Sequence, residues 1–342
     1  MTRQENLDNL LMLDLLGLMS LLFVSLLTYF MVLRWPALSR ILYVALTIRV
    51  ITILIGAYLI NLPDSEADAR TYEVLAYEFS KNGFINMLNN YPGPGSFFLS
   101  WVIAIPYSLF GRSMVMAQSI SLFFGICTIF LSCLFARKLC NEQAAKKVGW
   151  FIALFPSFIL YSVLTLREVF TIFFLLVALY GVAGWVEKKN FMMFALSMIG
   201  FSAAIFFHGG IAIGAFVFIS IVLINNIVKT FNLLRYNRIK LRPFLGIIVI
   251  LGFGWYYING NISIPKLGTF NYITDIKKNF IVVAGTNVRG DASYNEWLIS
   301  KSINDIVLKA PIKLVLFLFS PFPWDIKKYN QLIGLFDSVL YM

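Results

Sequence analysis

Three acidic side chains stand close together at Asp64, Glu66 and Asp68, directly after an apolar stretch. A carboxylate held at a membrane surface can act as a general base toward a hydroxyl acceptor, and it can also ligate a divalent cation. On a helix, Asp68 and Tyr72 are four residues apart and share a face with Ala76. Asp64 and Asp68 are also good N-cap residues, so helix capping is the alternative interpretation. The pattern favours the three acids as candidate catalytic residues.

A second candidate is the charged pair Arg167-Glu168, which lies between two apolar stretches. A charged pair in this position is costly unless it is paired or reaches water. Arginine binds phosphate or pyrophosphate through its two-pronged guanidinium group. The alternative is a structural arginine at the membrane interface, whose apolar side-chain carbons pack against lipid while the guanidinium group reaches water. The residues alone leave both interpretations of Arg167 and Glu168 open.

His208 is the single histidine of the sequence, and Gly209 and Gly210 follow it. Histidine can ligate a metal, carry a proton or donate a hydrogen bond to phosphate, and the glycines would let a ligand approach the backbone. The alternative is a packing residue at the end of a membrane span. The sequence has no CxxC, HExxH or P-loop motif, which argues against an ATP-driven pump. The cysteines, which lack the spacing of metal ligands, are Cys127, Cys133 and Cys140.

Apolar helices must position these groups. Hydrophobic residues make up 59% of the 342 residues and charged residues 13%, against roughly a quarter charged in soluble proteins. A membrane-crossing helix needs about 20 apolar residues. The sequence predicts an all-α polytopic membrane protein with roughly 8–11 transmembrane helices in a single domain spanning residues 1–342. The apolar runs are Leu10–Leu33, Ile41–Ile60, Ser96–Phe110, Met114–Ala136, Val148–Leu164, Val169–Val186, Phe191–Phe207, Ile211–Val228, Phe244–Ile258, Ile312–Phe322 and Leu332–Met342. Arg49, inside the second run, is a candidate buried structural charge.

The distribution of basic residues predicts the orientation. The formal net charge of +11 comes from clusters at 34–40, 137–147, 188–189 and 229–242. Cytoplasmic loops of membrane proteins collect Lys and Arg, which explains this excess without nucleic acid. All four clusters fall on the cytoplasmic side only if segment 96–111 does not cross the membrane. We therefore predict a re-entrant or interfacial helix there, after the turn at residues 91–95.

This topology places the candidate residues on the outer face. The outer elements are the catalytic loop at 61–95, the turn before Arg167, the turn at His208 and a long polar loop at 259–309. The chain is accordingly predicted to lie in a membrane, which we expect to be a bacterial inner membrane, with its site facing the periplasm or exterior.

The first outer loop resembles the GT-C glycosyltransferases, a group that includes protein mannosyltransferases and aminoarabinose transferases. The resemblance covers about residues 60–190 and rests on an ordered set of motifs: Asp68-x-x-x-Tyr72-x-x-x-Ala76, Gly83, Tyr91-Pro92, Leu109-Phe110-Gly111 and Leu166-Arg167-Glu168. Two positions depart from the family pattern: Ala69 stands where its second acid would be, for which Asp64 or Glu66 could substitute, and Pro92-Gly93 replaces Pro-Pro.

The resemblance implies a GT-C-like bundle that uses a polyprenyl-phosphate or polyprenyl-pyrophosphate sugar donor. It implies Asp68 as base or metal ligand, Arg167 and Glu168 near the lipid phosphate, and Tyr72 and Tyr91 in the substrate site. A divalent cation, with Asp68 and His208 as candidate ligands, is the one cofactor suggested. The acceptor would be a glycan, lipid or protein.

The segment from Arg167 to His208 is also similar to Wzy-type polysaccharide polymerases, which likewise carry an outer arginine, a basic cytoplasmic turn and a histidine near the end of the next span. A polymerase of O-antigen or exopolysaccharide repeat units is therefore the first alternative. A transporter or flippase of lipid-linked sugars is the second. Its class is expected to have polar residues at mid-membrane and paired broken spans, whereas here the charges lie at outer helix ends. The sequence favours the glycosyltransferase.

Overall fold

The computed structural model describes residues 3–66, 68–93, 95, 97–212, 214–222, 224, 298, 303–319, 322, 326 and 335. These residues form helices and turns, with no strand among them. Four of the described helical segments are long and apolar enough to cross a membrane, namely Asp14–Arg34, Pro36–Tyr58, Met114–Leu139 and Arg167–Lys188. The chain is thus an all-α polytopic membrane protein, as predicted.

The helices through residue 207 are α1 (Arg3–Arg34), α2 (Ser39–Tyr58), α3 (Asp68–Ser80), α4 (Phe84–Asn89), α5 (Phe98–Phe110), α6 (Met114–Leu139), α7 (Glu142–Leu154), α8 (Pro156–Tyr161), α9 (Arg167–Lys188) and α10 (Phe191–Phe207). The chain divides into two compact units, Met1–His208 with Leu318–Met342 and Gly209–Phe317. The second contains the short turn Gly209–Ile211. A further helix covers Ile303–Phe319. All the candidate residues lie in the first unit, and a single transmembrane domain stays a prediction.

Helices α1, α6 and α9 run in the same direction. Gly17 of α1 packs against Val115 at the start of α6, and Trp35, which follows α1, lies 4.7 Å from the Arg137 guanidinium at the end of α6. Lys138 Nζ lies 3.9 Å from Glu187 Oε2 near the end of α9. We call this end of the bundle the basic end; it carries Arg34, Arg137, Lys138, Lys188 and Lys189.

The opposite end, which we call the polar end, receives the segment between α2 and α6. Helix α5 starts and finishes there, since the Gly95 N–H donates to Phe206 O at the end of α10, and the Tyr107 hydroxyl oxygen lies 3.0 Å from Ser113 O, just before α6. An interfacial helix requires this arrangement. Its position relative to a membrane, and the side that each end faces, stay predictions.

The apolar run Val148–Leu164 is not one helix. Helix α7 ends at Leu154, Phe155 is extended, and Pro156 starts the short helix α8. Proline lacks the N–H that would continue the helical hydrogen bonds. The run Phe244–Ile258 and most of Leu332–Met342 lie outside the described residues, as does the loop 259–302 apart from Leu298. Crossings beyond the four long helices therefore stay predictions.

Helices α9 and α10 form a closely packed antiparallel hairpin. A Cβ atom at Gly181 would lie 2.5 Å from the backbone nitrogen of Ser197, and one at Gly200 would lie 2.4 Å from that of Ala178. Small residues allow membrane helices to approach closely in this way. The hairpin sets the relative positions of Arg167 at its first residue and His208 just past its end.

We expect Gly200→Ala to weaken this hairpin because the neighbouring backbone atoms cannot move aside without separating the helices. The expected loss is about 1–3 kcal/mol, the usual cost of overpacking. Thermal unfolding in detergent would measure it. Gly56→Ala is the matched control, since its nearest neighbours are side-chain atoms of Leu62, which can rotate. An equal loss in both variants would contradict close backbone packing as the cause.

Candidate functional site

Helix α3 presents one face to the protein and begins with the principal candidate. Asp68 is its first residue and is exposed, whereas Ala69, Tyr72 and Ala76 are buried. The expected face with Tyr72 and Ala76 is therefore present, with Asp68 at its solvent end. A carboxylate in the first turn is also stabilised by the helix dipole, so this position suits an ionised base.

A hydrogen bond between distant segments brings α3 against the start of α9. Thr165 Oγ1 donates to Ala69 O at 2.7 Å, across 96 residues of sequence. Burial raises the pKa of the Tyr72 hydroxyl; the positive charge of Arg167 opposes this increase, and the carboxylates of Asp68 and Glu168 add to it. The four predicted residues therefore form one electrostatic cluster. The hydroxyl stays protonated at neutral pH and can donate a hydrogen bond.

Arg167 and Glu168 are the first two residues of α9. Arg167 Nε lies 3.5 Å from Glu168 Oε1, and the arginine side chain is 17% exposed against 43% for the glutamate. The positive end of the α9 dipole and the guanidinium coincide here, which attracts an anion. Glu168 offsets part of that charge. Arg167 can thus donate a hydrogen bond to a phosphate oxygen, while Glu168 partly neutralises the charge of this half-buried cation.

Tyr91 and His208 lie at the polar end on the side formed by α5 and α10. The Tyr91 ring packs edge-on against Trp101, with centroids 5.3 Å apart, and it is 44% exposed. His208 ends α10, where its backbone N–H donates to Ala204 O. Both residues lie at the same end of the bundle as Tyr72. Neither is among the groups whose charges act on the Tyr72 hydroxyl.

Asp64 and Glu66 belong to the turn between α2 and α3. Asp64 has a φ of 60°, a left-handed conformation that Asp and Asn tolerate better than most residues. Glu66 Oε1 accepts a hydrogen bond from Asn61 Nδ2 at 2.8 Å. Neither carboxylate is among the charges that perturb Tyr72. Of the three acids, Asp68 is the one whose charge acts on the Tyr72 hydroxyl.

An ion pair between the exposed Arg112 and the buried Glu73, behind the cluster, was not predicted from the sequence. Glu73, 4% exposed, receives two hydrogen bonds from the Arg112 guanidinium at 2.8 and 2.7 Å and a third from the Tyr107 hydroxyl at 2.9 Å. The Arg112 group also lies 4.6 Å from the Tyr77 ring centroid. The hydrogen bonds with Glu73 raise the pKa of Arg112. The pair holds α3 against the α5–α6 junction and so positions Tyr72.

We expect Arg112→Ala to destabilise the protein more than Glu73→Gln. Removing the arginine leaves a buried carboxylate without its cation, at a cost of about 3–5 kcal/mol. Removing the carboxylate charge leaves Arg112, which is 43% exposed and can be hydrated, at a cost of about 1–2 kcal/mol. Thermal unfolding in detergent would rank them. Lys81→Ala, which breaks an exposed pair with Glu78, is the control, and the reverse ranking would disprove the interpretation.

An open apolar groove is lined by residues of α5, α6, α9 and α10. Its volume is about 620 Å³. Phe170 and Phe174 line it three and seven residues after Arg167, so they lie on the same face of the helix. The ring of Phe207 stacks on both, at centroid distances of 5.1 and 5.8 Å. The remaining aromatic lining residues are Phe98, Phe124 and Phe206.

In the described part of the chain, no group of three or more His, Cys, Asp or Glu side chains could hold a metal ion. Among the described residues, Asp68 and His208 therefore belong to no such group. Magnesium is often bound by one or two carboxylates together with substrate phosphates. Asp68 fits that mode better than a site built wholly from protein side chains.

No protein-family model matches this chain, and neither a curated protein nor a solved structure gives a significant match.

Proposed function

We propose that this protein is a membrane glycosyltransferase that moves a sugar from a polyprenyl-phosphate donor to an acceptor at the extracytoplasmic face. The single observation that carries the proposal is the position of Arg167 one turn before Phe170 on the face of α9 that lines the groove. Arg167 and the start of α9 offer a positive potential, and Phe170 and Phe174, on the same helix face, line the apolar groove. A ligand that suits both parts has an anionic headgroup and a long hydrocarbon tail.

The carboxylate of Asp68 supplies the chemistry that binding alone lacks. In the proposed reaction the acceptor hydroxyl attacks the anomeric carbon, and the hydroxyl proton passes to Asp68. The bond between the anomeric carbon and the phosphate oxygen breaks, and the phosphate leaves with the electron pair on the carrier lipid. Arg167 stabilises the charge that develops on this leaving phosphate, and Tyr72 donates a hydrogen bond to it.

The orientation rests on the basic end. Arg137, Lys138, Lys188 and Lys189 share that end of the bundle, and the positive-inside rule assigns it to the cytoplasm. The polar end then faces the periplasm or exterior of a bacterial inner membrane. Nucleotide-activated sugars are confined to the cytoplasm, which suits a lipid-linked donor at the opposite face.

A repeat-unit polymerase of the Wzy type is the second candidate. The position of His208 favours it, since His208 directly follows Phe207, whose ring stacks on Phe170 one turn from Arg167. Such an enzyme would use a lipid-linked oligosaccharide as donor and a growing glycan as acceptor. The groove and the cation would serve the same role in both reactions.

The test is to reconstitute the purified full chain in proteoliposomes with a radiolabelled polyprenyl-phosphate sugar and a panel of glycan, lipid and peptide acceptors. We expect label to move to one acceptor class, with release of one equivalent of carrier phosphate. Transfer only from lipid-linked oligosaccharides would favour the polymerase. Label that crosses the vesicle membrane with its sugar–phosphate bond intact would identify a transporter or flippase and overturn the proposal.

A further inference from the structure

Arg49, in the middle of α2, is a fully buried cation that the proposed transfer does not use. Its side chain has 0% exposure. Its hydrogen bonds go to neutral groups: Nε donates to Ser162 Oγ at 2.7 Å, and Nη1 donates to Ala153 O at 3.0 Å and to Ala45 O at 3.2 Å. A charge inside a membrane span is costly, so such a residue marks a role that an apolar side chain cannot fill.

The contact with Ala153 stabilises the interruption between α7 and α8. Helix α7 ends at Leu154 within an apolar run, and Pro156 follows with no N–H to offer. Backbone carbonyls freed inside a membrane must find other donors. The guanidinium donates to Ala153 O in the last turn of α7, where a cation also complements the negative end of the helix dipole. Arg49 therefore caps a helix that stops within the bundle.

The contact with Ser162 holds the far end of the same short segment. Ser162 follows α8, and its hydroxyl accepts from Arg49 Nε while donating to Ile159 O. On its other side Ser162 packs closely against α6, where a Cβ atom at Gly125 would lie 2.5 Å from Ser162 Cβ. Ser162 is thus clamped between Arg49 and α6, and the guanidinium also lies 5.4 Å from the Phe158 ring centroid. One side chain fixes both ends of α8.

The fixed segment leads directly into the polar cluster. Three residues after Ser162, Thr165 makes its hydrogen bond with Ala69, and Arg167 follows. Residues 162–165 are buried throughout, so their depth is set by the groups that hold them. A rigid anchor at Ser162 would fix the positions of Thr165 and Arg167 relative to α3 along the bundle axis.

We propose that Arg49 is a positioning residue, which locks the interrupted segment α7–α8 so that Thr165 meets Ala69 and Arg167 reaches the α3 cluster. The inference does not depend on which group the site transfers. A planar guanidinium with donors in two directions is required, because the carbonyl of Ala153, in the last turn of α7, and the hydroxyl of Ser162, just after α8, lie on either side of α8.

The test uses disulfide formation between Ala69→Cys and Thr165→Cys in the full chain, in native membranes, after replacement of Cys127, Cys133 and Cys140 by alanine. With Arg49 present we expect rapid crosslinking under mild oxidation. Arg49→Met removes all three hydrogen bonds and should slow it by at least about tenfold, the factor that corresponds to one lost hydrogen bond from a charged donor. Arg49→Lys, which keeps the charge but not the two-directional fork, should give an intermediate rate, and Ser162→Ala a smaller decrease.

A second pair separates positioning from general folding. Gly17→Cys and Ser113→Cys join α1 to the start of α6, where a Cβ atom at Gly17 would lie 3.0 Å from Ser113 Oγ. Its crosslinking should be unchanged by any substitution at Arg49. Equal crosslinking rates between positions 69 and 165 with Arg49 and with methionine would overturn the proposal. So would a parallel decrease in both pairs, or failure of the first pair to crosslink with Arg49 present.

Discussion

Asp68→Asn should nearly abolish transfer while leaving expression and membrane insertion unchanged. Asparagine matches aspartate in size and is as good a residue at the start of a helix, so α3 should still begin at position 68. What it loses is the capacity to take a proton from the acceptor hydroxyl. General-base catalysis contributes about 10²- to 10⁴-fold, so we expect a rate decrease in that range. Transfer of label from a polyprenyl-phosphate sugar in proteoliposomes would measure it.

Two neighbouring acids supply matched controls for this substitution. Asp64→Asn should be tolerated, because asparagine adopts the left-handed conformation of that turn as readily as aspartate does. Glu66→Gln should also keep activity, since the Glu66 side-chain contact is an exposed hydrogen bond with Asn61. Full transfer by the Asp68→Asn variant would remove Asp68 from the mechanism, and a comparable loss in either control would point to the whole turn rather than one carboxylate.

Arg167→Ala should mainly impair use of the lipid donor, with a higher donor concentration needed for half-maximal rate and a lower rate at saturation. The guanidinium binds the phosphate in the ground state and stabilises its additional charge as the sugar–phosphate bond breaks. Removal of one such electrostatic contact typically costs about 10²- to 10³-fold in rate. Arg167→Lys should recover part of this loss, because the charge returns without the two-pronged geometry. Steady-state kinetics over a donor series would separate the two effects.

Arg70 provides the control for charge at this end of the bundle. It lies on α3 two residues after Asp68 and is exposed, so Arg70→Ala should leave donor saturation unaltered. Binding of a polyprenyl phosphate that carries no sugar can be measured by quenching of intrinsic tryptophan fluorescence. This measurement does not depend on catalysis. Unchanged donor saturation in the Arg167→Ala variant would show that Arg167 is a structural residue.

Those parts of the architecture that follow from local sequence could be predicted. The four-residue spacing from Asp68 to Tyr72 and Ala76 predicted a shared face, and the two apolar residues are indeed buried on α3. Long apolar runs predicted the spanning helices, because hydropathy alone decides whether a helix is stable in lipid. The interruption at Pro156 was missed because a sum of hydropathies over Val148–Leu164 does not register one missing N–H.

The rest of the site depends on contacts between distant segments. Glu73 and Arg112 are 39 residues apart, and no local pattern around either residue indicates that they pair. The phenylalanines of the groove were equally unpredictable, since a ring facing lipid and a ring facing a neighbouring helix look the same in sequence. Arg49 was recognised as a candidate buried charge, but the distances to Ala153 and Ser162 were needed to indicate what it holds.

The hydrogen bond between Thr165 and Ala69 also sets the order in which the protein can become active during its synthesis. Asp68 leaves the ribosome about 100 residues before Arg167, and chains are made at roughly 5–20 residues per second, so α3 exists for several seconds before its partner segment emerges. A nascent chain that has inserted only α1 to α6 holds its carboxylate without the cation that would bind a donor. Under the proposed function, competence therefore requires α9, and we expect a biosynthetic intermediate stalled before α9 to be inert toward the lipid donor.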